Sequence, residues 1–207
     1  MKHRRKILFG LLILAIGALV IEFSKFRHTL FGIYDFPAEY AYKVNAEADL
    51  VIIGLTRFEC GSCATFYPIL NQAIQRDGNI TYVPRLVTGQ DKWEQTLARA
   101  VYAAAEQNKM IELISAIYAN WPINSEQVLF DYAEAQGIDI QQLSRDMQQT
   151  KITDYITENN HYYRQWGFQS FPVLLVGKHE VFNYFGEMTT ADELLVKFKL
   201  AHKGSLF

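Results

Sequence analysis

The feature that most constrains this chain is Cys60-Gly61-Ser62-Cys63, placed where a short apolar run meets an amphipathic one. Asp49-Leu50-Val51-Ile52-Ile53-Gly54-Leu55 is apolar and β-branched, the pattern of a strand buried on both faces. After the second cysteine, Phe66, Ile69, Leu70, Ala73 and Ile74 recur at helical spacing. Strand, short loop and helix put Cys60 near a helix N-terminus. Unpaired N–H groups and the positive end of the macrodipole there favour a thiolate over a thiol. Cys63, one turn in, faces the same side within reach of the Cys60 sulfur, which is the geometry for a reversible disulfide.

These are the only two cysteines in 207 residues, so no structural disulfide competes for them. A zinc site needs two more ligands, and the five histidines, at 3, 28, 161, 179 and 202, form no second paired motif. An iron–sulfur cluster also needs more thiolates. Two buried, inert cysteines are the remaining alternative, less in keeping with a position after a strand and opening a helix. No metal and no cofactor are expected. The net charge of −2 carries no nucleic-acid footprint.

The N-terminus has its own logic. Met1-Lys2-His3-Arg4-Arg5-Lys6 is basic, and the stretch from Ile7 to Ile21 is apolar without interruption until Glu22. This run is longer than most signal-peptide cores and short of the ~20 residues that span a bilayer. Phe23, Phe26, Lys25 and Arg27 extend it towards the interfaces. Residues 1–23 therefore read as an uncleaved signal anchor, a transmembrane helix, with a cleaved signal peptide as the close alternative. Ala15-Ile16-Gly17 is the nearest approach to a cleavage site. The basic block predicts a cytoplasmic N-terminus and everything after Glu22 outside it, in a periplasmic or other extracytoplasmic space, held to the membrane by this helix. Residues 24–42 read as a tether and 43–207 as one domain with ample core.

Within that domain, Asp77-Gly78 signals a turn into a second strand, from Ile80 to Val87, parallel to the first. Helical patterns follow from Trp93 to Asn108 and from Met110 to Ala119, with Pro122 as a break. Further helices read from Ser125 to Gly137, Ile140 to Gln149 and Ile152 to Trp166, so a helical block occupies about 90–167. Pro172 then opens the apolar strand Val173-Leu174-Leu175-Val176, a position that need not donate to a ladder. Val181 to Phe185 makes its hairpin partner, and Thr190-Ala191-Asp192-Glu193 caps a last helix. The order is β-α-β, a helical block, then β-β-α.

That order, with Phe58-Glu59-Cys60-Gly61-Ser62-Cys63 and Ser170-Phe171-Pro172-Val173 as its motifs, resembles the thioredoxin fold. With a helical block of this size in this place, the chain resembles the periplasmic disulfide oxidoreductases of the DsbA type over about residues 45–203. The resemblance implies an α/β thioredoxin fold with a large helical insertion and a catalytic pair, Cys60 and Cys63. It implies a cis peptide between Phe171 and Pro172 facing the two sulfurs, where a trans bond is the ordinary alternative. A substrate-binding loop of Ser170, Phe171 and Pro172 and an active-site surround of Arg57, Phe58, Glu59, Gly61 and Ser62 follow. Phe58, Trp166, Phe168 and Phe171 are candidates for an apolar floor, with ordinary core packing as the alternative for each. The implied partners are cysteine-containing client proteins and a membrane or periplasmic redox protein that recycles the pair.

Two departures matter. Many members carry an acidic residue six positions before the first cysteine, where this chain has Gly54, and many have His or Pro between the cysteines, where it has Gly61-Ser62. Glu59 opposes a Cys60 thiolate, while Arg57 and the helix terminus favour it. A thiol pKa nearer ~7 than ~3.5 is expected, with a reduction potential of about −200 mV. Redox direction is left open between oxidase and specialised reductase. A non-enzymatic peptide-binding adaptor is a third reading, disfavoured by retention of both cysteines.

Overall fold

The seven-residue strand ahead of the cysteines is the centre of the sheet. In the computed structural model, which describes residues 16–17, 19–20, 32–177, 180–183 and 189–203, strand β2 (Leu50–Thr56) has every residue buried except the half-buried Val51. It pairs in parallel with β3 (Ile80–Leu86) and antiparallel with β4 (Val173–Val176). Strand β5 (Glu180–Asn183) pairs antiparallel with β4, and β1 (Tyr42–Lys43) pairs antiparallel with β3, giving the order β1-β3-β2-β4-β5. A strand flanked by neighbours and covered on both faces has no polar side, which is why it reads as a continuous apolar run.

Helix α1 (Gly61–Asp77) leaves β2 through the cysteine motif and ends where Gly78 turns left-handed, φ 78°. Five helices separate β3 from β4: α2 (Lys92–Ala105), α3 (Met110–Ala119), α4 (Glu126–Ala135), α5 (Ile140–Asp146) and α6 (Thr150–Gln165). Asp91, Ser125 and Asp139 each accept a backbone N–H at the start of the following helix. The last helix, α7 (Ala191–His202), opens with a reciprocal capping box between Thr190 and Glu193. Helix α1 packs against α7 and α3, and α6 packs against β3. Under α6, Arg85 is fully buried. Its Nη1 donates to Asn159 Oδ1 at 2.8 Å, and its guanidinium lies 4.9 and 5.1 Å from the ring centroids of Tyr155 and Tyr162.

The chain divides into two compact units, Met1–Asp35 and Phe36–Phe207. In the first, a 3-10 turn at Gly32–Tyr34 is closed by a hydrogen bond from Asp35 N to Gly32 O. Apart from four helical residues, the expected signal anchor or signal peptide over 1–23 lies outside the described residues. So do residues 24–31 of the tether and Tyr184 and Phe185 of the hairpin strand. Among the described residues no helix is long and apolar enough to cross a membrane.

Two features differ from the expected order. Strand β1 is an addition, because two residues are too few to show a period. Tyr40, on the stretch read as tether, is 1% exposed, and its ring centroid lies 4.7 Å from those of Tyr102 and Tyr155. An aromatic anchor ahead of the first strand has no periodic signature in sequence.

Gly54 has a structural reason. It lies in β2 opposite Pro84 and Leu174, and a Cβ there would stand 2.5 Å from the Tyr82 hydroxyl and 2.9 Å from the Tyr82 ring. The phenol of Tyr82, itself 2% exposed, fills the space a side chain at 54 would need. Gly54→Ala should therefore destabilise the domain by about 1–3 kcal/mol through overpacking, with Tyr82→Phe relieving part of the loss. Urea unfolding of the two single variants and the double variant checks this; a Gly54→Ala protein as stable as the parent would show that Tyr82 yields freely.

Candidate active site

Cys60 is itself the N-cap of α1. Its backbone is extended (φ −144°, ψ 101°), and its Sγ accepts the Cys63 amide at 3.1 Å. The sulfur thus occupies the position that a Ser or Asp oxygen takes in an ordinary cap, facing the orphan N–H groups and the positive helix end. Cys60 and Cys63 are joined in a disulfide with Cα atoms 5.2 Å apart. Cys63 is 1% exposed, whereas Cys60 is half-buried. A nucleophile from outside reaches the pair at Cys60.

Across from the sulfurs, the Phe171–Pro172 peptide is cis, the isomer that the resemblance implies. Ser62 joins the two parts: its hydroxyl lies 3.3 Å from Cys60 Sγ and donates to the Phe171 carbonyl at 3.1 Å. Ser170, Phe171 and Pro172 are thereby brought to the cysteine motif. Gly61 lets a neighbour close over the helix start, since the Trp121 ring lies 3.4 Å from where its Cβ would be. Among the described residues no group of three or more His, Cys, Asp or Glu side chains is placed to hold a metal ion.

The loop from Arg57 to Glu59 is held by three side chains of the helical insertion. The Tyr118 hydroxyl donates to the Arg57 carbonyl at 3.2 Å and meets the Thr56 hydroxyl at 2.6 Å. Trp121 Nε1 donates to the Phe58 carbonyl at 2.6 Å. The Glu59 amide donates to Glu94 Oε1 at 2.8 Å. Burial pushes the Tyr118 phenol far above its ordinary range, so it remains a neutral donor.

Arg57 is not the free cation that its place in the sequence suggests. Its Nε donates to Glu94 Oε1 at 2.8 Å and its Nη2 to Oε2 at 2.5 Å, a two-pronged pair in which the carboxylate side chain is 0% and the guanidinium 34% exposed. Hydrogen bonding to Glu94 raises the guanidinium pKa, with partial burial opposing. The charge expected to favour a Cys60 thiolate is thus partnered by a carboxylate. Glu59 is exposed.

Of the four aromatics named for an apolar floor, Phe58 is enclosed, while Trp166, Phe168 and Phe171 are half-buried. Phe58 is 2% exposed, with its ring centroid 5.1 Å from that of Tyr118, and belongs to the core. Phe171 instead stacks on Tyr163, centroids 4.2 Å apart at an interplanar angle of 8°, and Trp166 stacks on Phe168 at 5.8 Å. Glu94, Tyr118, Trp121 and Tyr163 escape a reading of the sequence. Asp91-x-x-Glu94 has the spacing of a capping box, and Asp91 does accept the Glu94 amide at 2.8 Å. The Glu94 carboxylate, however, turns to Arg57 and Glu59.

A family model described as thioredoxin matches residues 45–194. No curated protein sequence matches the chain. Among solved structures it is similar to a thioredoxin-like oxidoreductase from Silicibacter pomeroyi, 22% identical with a TM-score of 0.71 over 86% of this chain and 98% of that one. It is also similar to the thiol-disulfide exchange protein alpha-DsbA2 from Wolbachia pipientis, 20% identical with a TM-score of 0.71 over 85% and 91%. A periplasmic thioredoxin-like protein from Salmonella enterica serovar Typhimurium is 16% identical with a TM-score of 0.69 over 84% and 94%. At these identities the likeness is one of fold. With the family model matched along most of its length, the chain belongs to the thioredoxin family.

Proposed function

We propose that the protein is an extracytoplasmic thiol:disulfide oxidoreductase that exchanges disulfides with cysteine-containing client proteins through Cys60 and Cys63. The observation that carries this reading is a disulfide at the start of α1 with one sulfur half-buried and the other enclosed, linked through Ser62 to the Phe171–Pro172 loop. The thiol-disulfide exchange protein among its structural neighbours supports it.

In the oxidising direction, a client thiolate attacks Cys60 Sγ. A client–Cys60 bond forms, the Cys60–Cys63 bond breaks, and Cys63 leaves as a thiolate that takes a proton. The second client thiolate then attacks the client sulfur bonded to Cys60. The client disulfide forms, Cys60 leaves as a thiolate, and two electrons have passed to the pair. The Cys63 amide and the helix terminus stabilise that leaving thiolate. Run in reverse, Cys60 attacks a client disulfide and Cys63 resolves the intermediate. A client backbone lies along Ser170-Phe171 in strand-like fashion. A membrane or periplasmic redox partner returns the pair to its working state and selects the direction.

An extracytoplasmic setting is supported by the basic block before the apolar run of residues 7–21 and by the periplasmic origin given for one structural neighbour. Protease added to cells with a permeabilised outer envelope should digest the domain and leave a small membrane-bound fragment. Full protection of the domain would put it in the cytoplasm.

Cys60→Ser should abolish exchange, and Cys63→Ser should accumulate mixed disulfides with clients, because Cys60 then lacks its resolving partner. Non-reducing electrophoresis of the trapped species and insulin reduction check both. Trapping by Cys60→Ser rather than Cys63→Ser would reverse the roles. Ser62→Ala removes a hydroxyl beside the Cys60 sulfur and should raise the Cys60 thiol pKa by up to about one unit, within the worth of a hydrogen bond to a charged group. Thiolate absorbance against pH reads this directly; an unchanged midpoint would mean that the hydroxyl stays on the Phe171 carbonyl in the reduced protein.

A further inference from the structure

Glu94 is a buried carboxylate that thiol–disulfide exchange does not by itself require. It lies in the first turn of α2, where the positive helix end favours a negative charge. Its side chain is fully enclosed. A lone carboxylate so placed is costly to desolvate, so its charge needs partners. The structure supplies three donors: Arg57 Nε, Arg57 Nη2 and the amide of Glu59, the residue next to Cys60. The other groups that act on Arg57 are Asp91, which caps α2, exposed Glu59 and Tyr163 of α6, and the Tyr118 hydroxyl of α3 donates to its carbonyl. None of them is a cation, which leaves Arg57 as the positive charge of this cluster among the described residues.

Arg57 also lies beside the Phe171–Pro172 loop that faces the cysteine pair. Its guanidinium carbon lies 5.7 Å from the centroid of the Phe171 ring, and the Phe171 carbonyl accepts from Ser62, whose hydroxyl touches Cys60 Sγ. An uncompensated guanidinium there would favour the Cys60 thiolate, hence the reduced pair.

We propose that Glu94 is a positioning residue that sets the redox poise of the pair, cancelling the charge of Arg57 at Cys60 while fixing the amide that precedes it. This deepens the exchange reading and rests on it. Tyr118 and Trp121 hold the same loop through neutral donors. Glu94 differs in carrying charge, so its removal has a signed electrostatic consequence that mere loosening of the loop does not have.

The test equilibrates the full chain with glutathione and titrates the Cys60 thiolate in Glu94→Gln and in Arg57→Gln/Glu94→Gln. Gln at 94 keeps an oxygen for the Glu59 amide and removes the negative charge. It should shift the equilibrium constant towards the reduced pair on the order of tenfold and lower the thiol pKa by about one unit, the scale of one charge acting through a partly screened site. The double variant, with neither charge, should return to within about threefold of the parent. No shift in Glu94→Gln, a shift towards the oxidised pair, or a shift that persists in the double variant overturns the proposal. If Glu94→Gln does not fold, the double variant carries the test alone, and a tenfold departure from the parent in it has the same consequence. A parent pair that never equilibrates with glutathione defeats the exchange reading and this inference together. A parent that equilibrates while Glu94→Gln matches it defeats this inference alone.

Discussion

The structure depends on a sulfur standing where a helix cap belongs. Cys60 ends the loop after β2 and starts α1, and its Sγ takes the Cys63 amide that a Ser or Asp oxygen would take elsewhere. Because the cap and the reactive group are one atom, the geometry of the helix start and the chemistry of the thiol are set together. Reduction of the pair leaves a thiolate at a place already provided with an N–H donor and a positive helix end. The buried β2, flanked by β3 and β4, fixes where that helix begins.

The rest of the site is the insertion's work. The backbone groups of Arg57, Phe58 and Glu59 are held by Tyr118, Trp121 and Glu94, which come from α3, the turn after it and α2. The thioredoxin core supplies the cysteine helix and the cis Phe171–Pro172 loop, and the helical insertion braces the loop that presents Cys60. The insertion thus holds the loop before Cys60 as well as enlarging the core.

Much of this was legible before the structure. The apolar run at 49–55, the amphipathic helix after Cys63, the turn at Asp77-Gly78 and the Thr190–Glu193 cap each carry a local signal, because each is a statement about periodicity or a terminus. The thioredoxin order followed from them, and the resemblance to that family implied the cis peptide before Pro172, which the structure has. The two-residue strand Tyr42–Lys43 and the anchoring of Tyr40 did not, since their stabilisation comes from partners far along the chain. Charge was the least legible property. Arg57 read as a cation near the thiol, yet its partner lies 37 residues on, in a pattern that looks like an ordinary helix cap. Gly54 read as a missing proton acceptor, and the structure shows the steric reason, the ring of Tyr82.

If Cys60 is stabilised by the helix start and its N–H donor, with Arg57 cancelled by Glu94, the pair belongs among moderate couples rather than strong oxidants. The reduction potential of the unmodified protein tests this most directly, by quantifying the Cys60–Cys63 disulfide across a series of glutathione ratios. The account predicts about −200 mV, between disulfide isomerases and thioredoxin. A potential above about −150 mV would contradict it, because the thiolate would then be held by positive charge that this site does not provide.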